Sequence, residues 1–139
     1  MACVPQTGGP IVGCTPSAVC DHSNPDDKDC DCYLDHDKGG PDCCASDPRV
    51  HPGQNGFFTS PTTCAPDGAV AAWDFNCDCK IDVQYNDKGD CAWGFLNCST
   101  TTGFTSSVAC GANGDYVKGC MNQVLSCSKS TMQLAQGCR

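Results

Sequence analysis

The chain has 139 residues, and its 16 acidic against 8 basic side chains give a formal net charge of -8. An acidic surface repels nucleic acid and anionic lipid, so we expect no nucleic-acid partner and no membrane insertion. No apolar run is long enough for a signal peptide or a membrane-spanning helix.

Cysteine is the residue on which the fold depends. Leu, Ile, Val and Phe together number 20 of 139 residues, about 14%, which is below the level typical of globular chains. The even count of 16 cysteines therefore predicts eight disulfides, each stabilising by roughly 2–4 kcal/mol. We expect a small disulfide-rich fold of mostly irregular loops with short β-strands and little helix. The disulfide-forming residues are Cys3, Cys14, Cys20, Cys30, Cys32, Cys43, Cys44, Cys64, Cys77, Cys79, Cys91, Cys98, Cys110, Cys120, Cys127 and Cys138.

This cysteine content also predicts where the protein resides. Disulfides persist in oxidising compartments, so we expect a secreted or cell-surface protein whose leader is absent from this chain. Neighbouring cysteines such as Cys43 and Cys44 rarely bond each other, and we expect them to join two different segments.

The acidic residues are all aspartates, which favour turns and cation-binding loops over helices. Nine of the 16 lie between Asp21 and Asp47, whereas only Asp115 lies beyond Asp90. This distribution suggests an N-terminal segment at 1–26, an Asp- and Cys-rich region at 27–90, and a Cys-rich C-terminal module at 91–139.

The middle region contains an internal repeat with an offset of 47 residues, in which DKDCDCYLD aligns with DFNCDCKID without a gap. Oxygens at positions 1, 3, 5 and 9 of such a loop, with a main-chain carbonyl at position 7, can converge on one calcium ion. The spacing therefore predicts one or two calcium ions. The predicted ligands are Asp27, Asp29, Asp31 and Asp35 in the first loop and Asp74, Asn76, Asp78 and Asp82 in the second.

Both loops depart from the usual calcium loop at two positions. Cys32 and Cys79 replace the glycine expected at position 6, where a disulfide would hold the turn instead. Position 12 holds Lys38 or Tyr85 rather than glutamate, so further oxygens must come from elsewhere. The candidates are Asp37, Asp42, Asp47, Asp87 and Asp90.

Several other interpretations remain open. The aspartates could cap turns without any ion. His22, His36 and His51 could gather copper or zinc, with Met121 or Met132 in support, although scattered surface histidines are the simpler interpretation. No catalytic motif is present, so we do not expect an enzyme.

The segment from Asp27 to Asp82 resembles the metal-binding repeat of secreted and surface proteins in myxobacteria and methanotrophs. The matching stretches are DHDKGGPDC, then DCCASDPRVHPG from Asp42 to Gly53, and finally DFNCDC from Asp74 to Cys79. The resemblance implies an extracellular calcium-binding module and implies no reaction.

Together these observations predict a non-catalytic, disulfide-stapled, calcium-binding structural or adhesive module. One alternative is a subunit of an extracellular filament or surface matrix that is stabilised by disulfides, with self-association or a surface polymer or protein as partner. A third possibility is a small secreted binding protein, toxin or inhibitor.

Overall fold

The structure is a computed structural model that describes residues 5–14, 16, 24–64 and 72–139. The predictions that concern Cys3, Cys20 and His22 lie outside the described residues. Among the described residues, no helix is long and apolar enough to cross a bilayer.

The predicted fold class is confirmed. The described elements are one 3-10 helix, His36–Lys38, and the antiparallel strands β1 (Asp90–Trp93), β2 (Cys98–Thr101), β3 (Gly103–Phe104), β4 (Asn113–Gln123) and β5 (Ser126–Ala135). Strands β1 and β2 form a two-stranded sheet, and β3, β4 and β5 form a three-stranded sheet in that order. The rest of the described chain is loops and turns.

The chain divides into two compact units, Met1–Asp82 with Cys138–Arg139, and Val83–Gly137. The sequence suggested that the C-terminal module begins at residue 91. The structure assigns 83–90 to the same unit, since Lys88 forms a parallel bridge with Phe104, and Gly89 N donates to the Phe104 carbonyl at 2.9 Å.

The first unit has a small core in which disulfide sulfur and aromatic rings outnumber aliphatic side chains. Its buried members are Cys44, Val50, Phe75 and Cys77, with Phe58, Cys64 and Trp73 packed against them. The Phe58 and Phe75 rings lie 4.4 Å apart between centroids. The disulfides Cys43–Cys77 and Cys44–Cys64 meet in this core. The two neighbouring cysteines therefore join different segments, as predicted.

The second unit is built around the β4–β5 hairpin, whose 11 and 10 residues make it longer than the short strands that the sequence suggested. A bulge between Val117 and Gly119 interrupts its register. Phe104 of β3 and Val117 of β4 are buried in this unit. Cys91–Cys120 joins β1 to β4, and Cys98–Cys127 joins β2 to β5. The two hairpins are therefore cross-linked twice.

The other described cysteines are also in disulfides, as predicted. Cys14 bonds Cys32. Cys30, Cys79, Cys110 and Cys138 are also disulfide-bonded. No described cysteine is a free thiol.

Candidate metal centre

The first acidic loop, Asp27–Asp35, is a tight turn whose backbone is left-handed at two cysteines. Cys30 has a φ of 61° and Cys32 a φ of 76°, values that usually require glycine. The disulfide from Cys32 to Cys14 ties this position to another segment. A crosslinked cysteine thus occupies the conformation that glycine has in an ordinary calcium loop.

The second loop, Asp74–Asp82, has the same turn. Its left-handed residues are Cys77 at 59° and Cys79 at 65°. In both loops the aspartate at position 1 accepts a hydrogen bond from the amide at position 6, at 3.1 Å in the first loop and 2.8 Å in the second. The aspartate at position 5 accepts from the amide at position 7, at 2.7 Å and 2.9 Å.

The first loop gathers carboxylates in the interior of its unit. Asp27 and Asp31 are each 3% exposed, and Asp35 and Asp42 are fully buried. Asp35 and Asp42 lie side by side in a parallel β-bridge. One carboxylate oxygen from each of Asp27, Asp29 and Asp31 lies within 4.8 Å of the other two. We name Asp27, Asp29, Asp31, Asp35 and Asp42 the acidic cluster.

Three oxygens of the acidic cluster have no hydrogen-bond donor, namely Asp27 Oδ1, Asp31 Oδ2 and Asp42 Oδ2. Neither Asp29 oxygen accepts a hydrogen bond of good geometry, although the Asp31 and Asp47 amides are close enough to act against the rise in its pKa. A buried polar atom without a partner is costly, so native structures almost always supply one. The carboxylates of Asp27, Asp29 and Asp31, which lie close together, call for a shared cation or for bound protons.

Burial raises the pKa of three of these carboxyl groups, and the charges of neighbouring aspartates raise it further. The pKa of Asp29 rises to about 6, that of Asp42 to about 7, and that of Asp31 to about 8. Without a cation, therefore, part of the cluster is protonated at neutral pH. A divalent cation would reverse this effect because it favours the charged form of each carboxyl group.

Lys28 supplies a positive charge at the edge of the cluster. Its Nζ lies 2.7 Å from Asp35 Oδ2 and 3.3 Å from Asp37 Oδ2. Asp35 Oδ2 thus has an ionic partner although it accepts no hydrogen bond of good geometry. This contact with Asp35 raises the pKa of Lys28. Because half of the lysine side chain is exposed, this charge offsets only part of the acidic cluster.

The second loop uses its carboxylates differently, despite the same backbone. Asp74 accepts from the Asp78 amide at 3.0 Å through Oδ1 and from the Cys79 amide through Oδ2. Asp82 pairs with Arg139 at 3.4 Å. Asn76 Oδ1 is the buried oxygen of this loop that lacks a donor. The predicted ligands of the second loop are therefore largely committed to local hydrogen bonds and an ion pair.

Of the five additional candidates, Asp42 alone joins the acidic cluster. Asp37 is exposed beside Lys28. Arg49 donates to both oxygens of Asp47 at 2.7 Å, and although burial opposes it, these bonds and the Thr63 amide lower the pKa of Asp47. In the second unit Asp87 is exposed and Asp90 pairs with Lys129 at 2.8 Å.

The described histidines have other surroundings. His51 stacks on Tyr33 with 4.8 Å between ring centroids, and its Nδ1 lies 3.2 Å from the Pro52 carbonyl. His36 is exposed in the 3-10 helix. A second group of potential ligands, Cys14, Asp27 and Cys32, has its sulfurs in a disulfide, so it offers no thiolate for a soft metal.

Comparison of the chain with protein-family models, with curated proteins and with solved structures finds no match. The resemblance to the metal-binding repeat stays a prediction.

Proposed function

We propose that this protein is a non-catalytic, extracellular structural or adhesive module that binds one calcium ion in the acidic cluster. The observation that carries the proposal is the set of buried carboxylate oxygens without donors at Asp27, Asp31 and Asp42, with the Asp29 carboxylate beside those of Asp27 and Asp31. Turn capping accounts for the oxygens that accept backbone amides. It leaves these others unexplained.

The chemistry of the donors favours a hard cation. The cluster offers oxygen atoms alone, whereas zinc and copper prefer nitrogen and sulfur ligands. Calcium takes about 6–8 oxygens and tolerates irregular arrangements, which suits carboxylates drawn from one loop and from the neighbouring Asp42. The Tyr33 carbonyl, at position 7 of the loop, and water would complete such a set.

One ion is expected rather than two, because the two loops differ in which carboxylate oxygens lack a hydrogen-bond donor. In the first loop Asp27 Oδ1 lacks a donor, whereas the equivalent Asp74 Oδ1 accepts the Asp78 amide. Arg139 also pairs with Asp82 in the second loop. A cation there would have to displace partners that are already in place.

A structural role follows from the position of the site. The hydrophobic core of the first unit is small, and several like charges are buried beside it. A bound cation would relieve their repulsion and connect the loop to Asp42, so the ion would stabilise the fold itself. Extracellular modules commonly bind calcium with dissociation constants of about 0.1–1 mM, near its concentration outside cells.

Isothermal titration calorimetry on the fully oxidised protein, after chelator treatment, tests the proposal. We expect wild-type protein to bind one calcium ion, and Asp31→Asn to weaken binding by about tenfold or more because a charged ligand is lost. Asp78→Asn, at the equivalent position of the second loop, is the matched control and should leave binding unchanged. The proposal would be overturned if wild-type protein takes up no calcium at about 10 mM. That concentration is about ten times the largest dissociation constant expected. Equal effects of the two substitutions would contradict the assignment of the site to the first loop.

A further inference from the structure

The second unit carries an apolar feature that the cation site does not explain. The turn between β1 and β2 exposes Phe95 and Leu96 by 97% and 80%, and the turn between β4 and β5 exposes Val124 and Leu125 by 94% and 80%. Large apolar side chains singly exposed are ordinary, but four at adjacent turns are not. We call these two turns the apolar tips.

The tips lie side by side because a disulfide joins their bases. Cys98–Cys127 brings the two Cα atoms to 5.8 Å. The Cys98 amide also donates to Asn122 Oδ1 at 2.8 Å, across from one hairpin to the other. The four side chains therefore belong to one surface rather than to two separate ones.

The two tips are also equivalent in sequence. CAWGFLNC from Cys91 to Cys98 matches CMNQVLSC from Cys120 to Cys127 at an offset of 29 residues. The match pairs Phe95 with Val124 and Leu96 with Leu125, and the disulfides Cys91–Cys120 and Cys98–Cys127 join equivalent cysteines. An apolar residue followed by leucine is thus the element that both hairpins present.

Both leucines have a backbone conformation that disfavours them. Leu96 has a φ of 89° and Leu125 a φ of 63°, where glycine or asparagine would fit without steric cost. Neither leucine recovers this cost by burial, since both are exposed. A strained and exposed apolar residue at two equivalent turns indicates a function outside the fold.

We propose that the apolar tips insert into the interfacial region of a neutral, zwitterionic lipid bilayer. The tips carry no charge, since residues 91–101 and 119–128 contain neither acidic nor basic side chains. The surface is therefore matched to a partner without net charge. The expectation of no membrane insertion rested on the net charge of the whole chain, and it concerned anionic lipid.

The shape of the tips favours lipid over a second copy of the chain. Exposures near 100% at Phe95 and Val124 mean that these side chains project into solvent and are almost uncovered by the rest of the unit. A fluid bilayer can close around projecting groups, whereas a rigid partner would need matching cavities. Four such side chains present roughly 500 Å² of apolar area, below the roughly 800 Å² that each partner of a stable protein interface provides.

Two further details suit an interfacial position. Trp93, which is 42% exposed, lies at the end of β1, next to the first tip, and tryptophan prefers the headgroup level of bilayers. The amides of the first turn are bonded internally, from Gly94 to the Asn97 carbonyl at 2.8 Å and from Leu96 to the Gly94 carbonyl at 2.9 Å. Shallow insertion would therefore strand neither of these backbone donors.

The experiment follows Trp93 fluorescence in the oxidised full chain with phosphatidylcholine vesicles. The Trp73→Phe substitution leaves Trp93 as the single tryptophan. We expect a blue shift on adding vesicles and co-sedimentation of protein with lipid. The double variant Leu96→Gly and Leu125→Gly removes two inserting side chains while relieving both strained φ values. It should fold at least as well and lose partitioning by about a hundredfold.

Val12→Ser is the matched control, because Val12 is fully exposed in the first unit. It should partition like wild-type protein. Wild-type protein that shows neither a blue shift nor co-sedimentation would overturn the proposal, as would binding confined to vesicles that contain anionic lipid. A concentration-dependent blue shift without vesicles, abolished by the glycine variant, would assign the tips to a second copy instead. The calcium titration is independent of each of these outcomes.

Discussion

At the scale of single residues, Asp42 and Asp47 show that burial alone does not identify a cation ligand. Both are almost inaccessible to solvent. Asp47 accepts two hydrogen bonds from the Arg49 side chain and one from the Thr63 amide, so its charge is compensated. Asp42 accepts one amide, from Cys44 at 2.8 Å, and its other oxygen lacks a donor.

This contrast predicts opposite effects of two conservative substitutions on metal-free stability. Asp42→Asn keeps an acceptor for the Cys44 amide and removes a repelled charge, so the metal-free protein should become more stable at pH 8. Its calcium affinity should fall by about tenfold. Asp47→Asn should destabilise by about 1–3 kcal/mol, because Arg49 loses its charged partner, and should leave calcium affinity unchanged. Thermal unfolding with chelator, together with calorimetric titration, measures both effects. A loss of stability in Asp42→Asn would contradict the view that the cluster is strained without a cation.

At the scale of the element, the first loop holds a conformation that its sequence should resist. Cys32 occupies a left-handed position, and the bond to Cys14 ties it there. If this crosslink prepares the loop for its ion, a glycine should substitute for it better than an alanine, because alanine resists positive φ.

Two double variants that both lack this disulfide would test this expectation. Cys14→Ser with Cys32→Gly should retain more calcium affinity than Cys14→Ser with Cys32→Ala, by about tenfold, since left-handed backbone costs a non-glycine residue roughly 1–2 kcal/mol. Calorimetric titration gives the affinities, and the intact mass verifies that the other disulfides have formed. Equal affinities would mean that the left-handed conformation at position 32 does not limit calcium binding.

The elements also show which features the sequence could predict. The high cysteine content and the small number of aliphatic residues were enough to predict a fold of loops held by disulfides, because this fold class depends on composition. The 47-residue spacing located both aspartate loops. The spacing could not show which loop has carboxylates available to a cation, because this depends on residues that are remote in sequence. Asp42 lies beside Asp35 of the first loop, and Arg139 pairs with Asp82 in the second.

The sequence also carries a signal for the apolar tips. Sliding the chain past itself by 29 residues aligns the two octapeptides, so the signal is present in the sequence. Their exposure was not accessible in this way. Aromatic residues in a cysteine-rich chain usually fill the core, and the structure alone shows that Phe95 projects from a turn.

At the scale of the whole molecule, the acidic cluster should change how stability depends on pH. A carboxyl group whose pKa is raised in the folded state binds its proton more tightly there than in the unfolded chain. The stabilisation from this proton is fully present below the ordinary pKa of 3.8 and is lost as pH rises through the folded values, about 6 for Asp29, 7 for Asp42 and 8 for Asp31. Asp47 and Asp90 have lowered pKa values, so they do not contribute to this loss of stability.

The metal-free protein should therefore become less stable between pH 4 and pH 8, which is the window set by those raised pKa values. Saturating calcium should reverse the slope, because an ion binds the charged carboxylates and lowers their pKa. Fluorescence of Trp73, which packs against the core of the first unit, reports this unfolding in a Trp93→Phe background. Melting temperatures across this pH range, with chelator and with calcium, give both slopes. The Asp31→Asn variant should flatten the metal-free slope, since it removes the carboxyl group with the highest of these pKa values. If metal-free stability instead rises with pH, the buried carboxylates are charged without a cation, and the physical basis for the proposed site is lost.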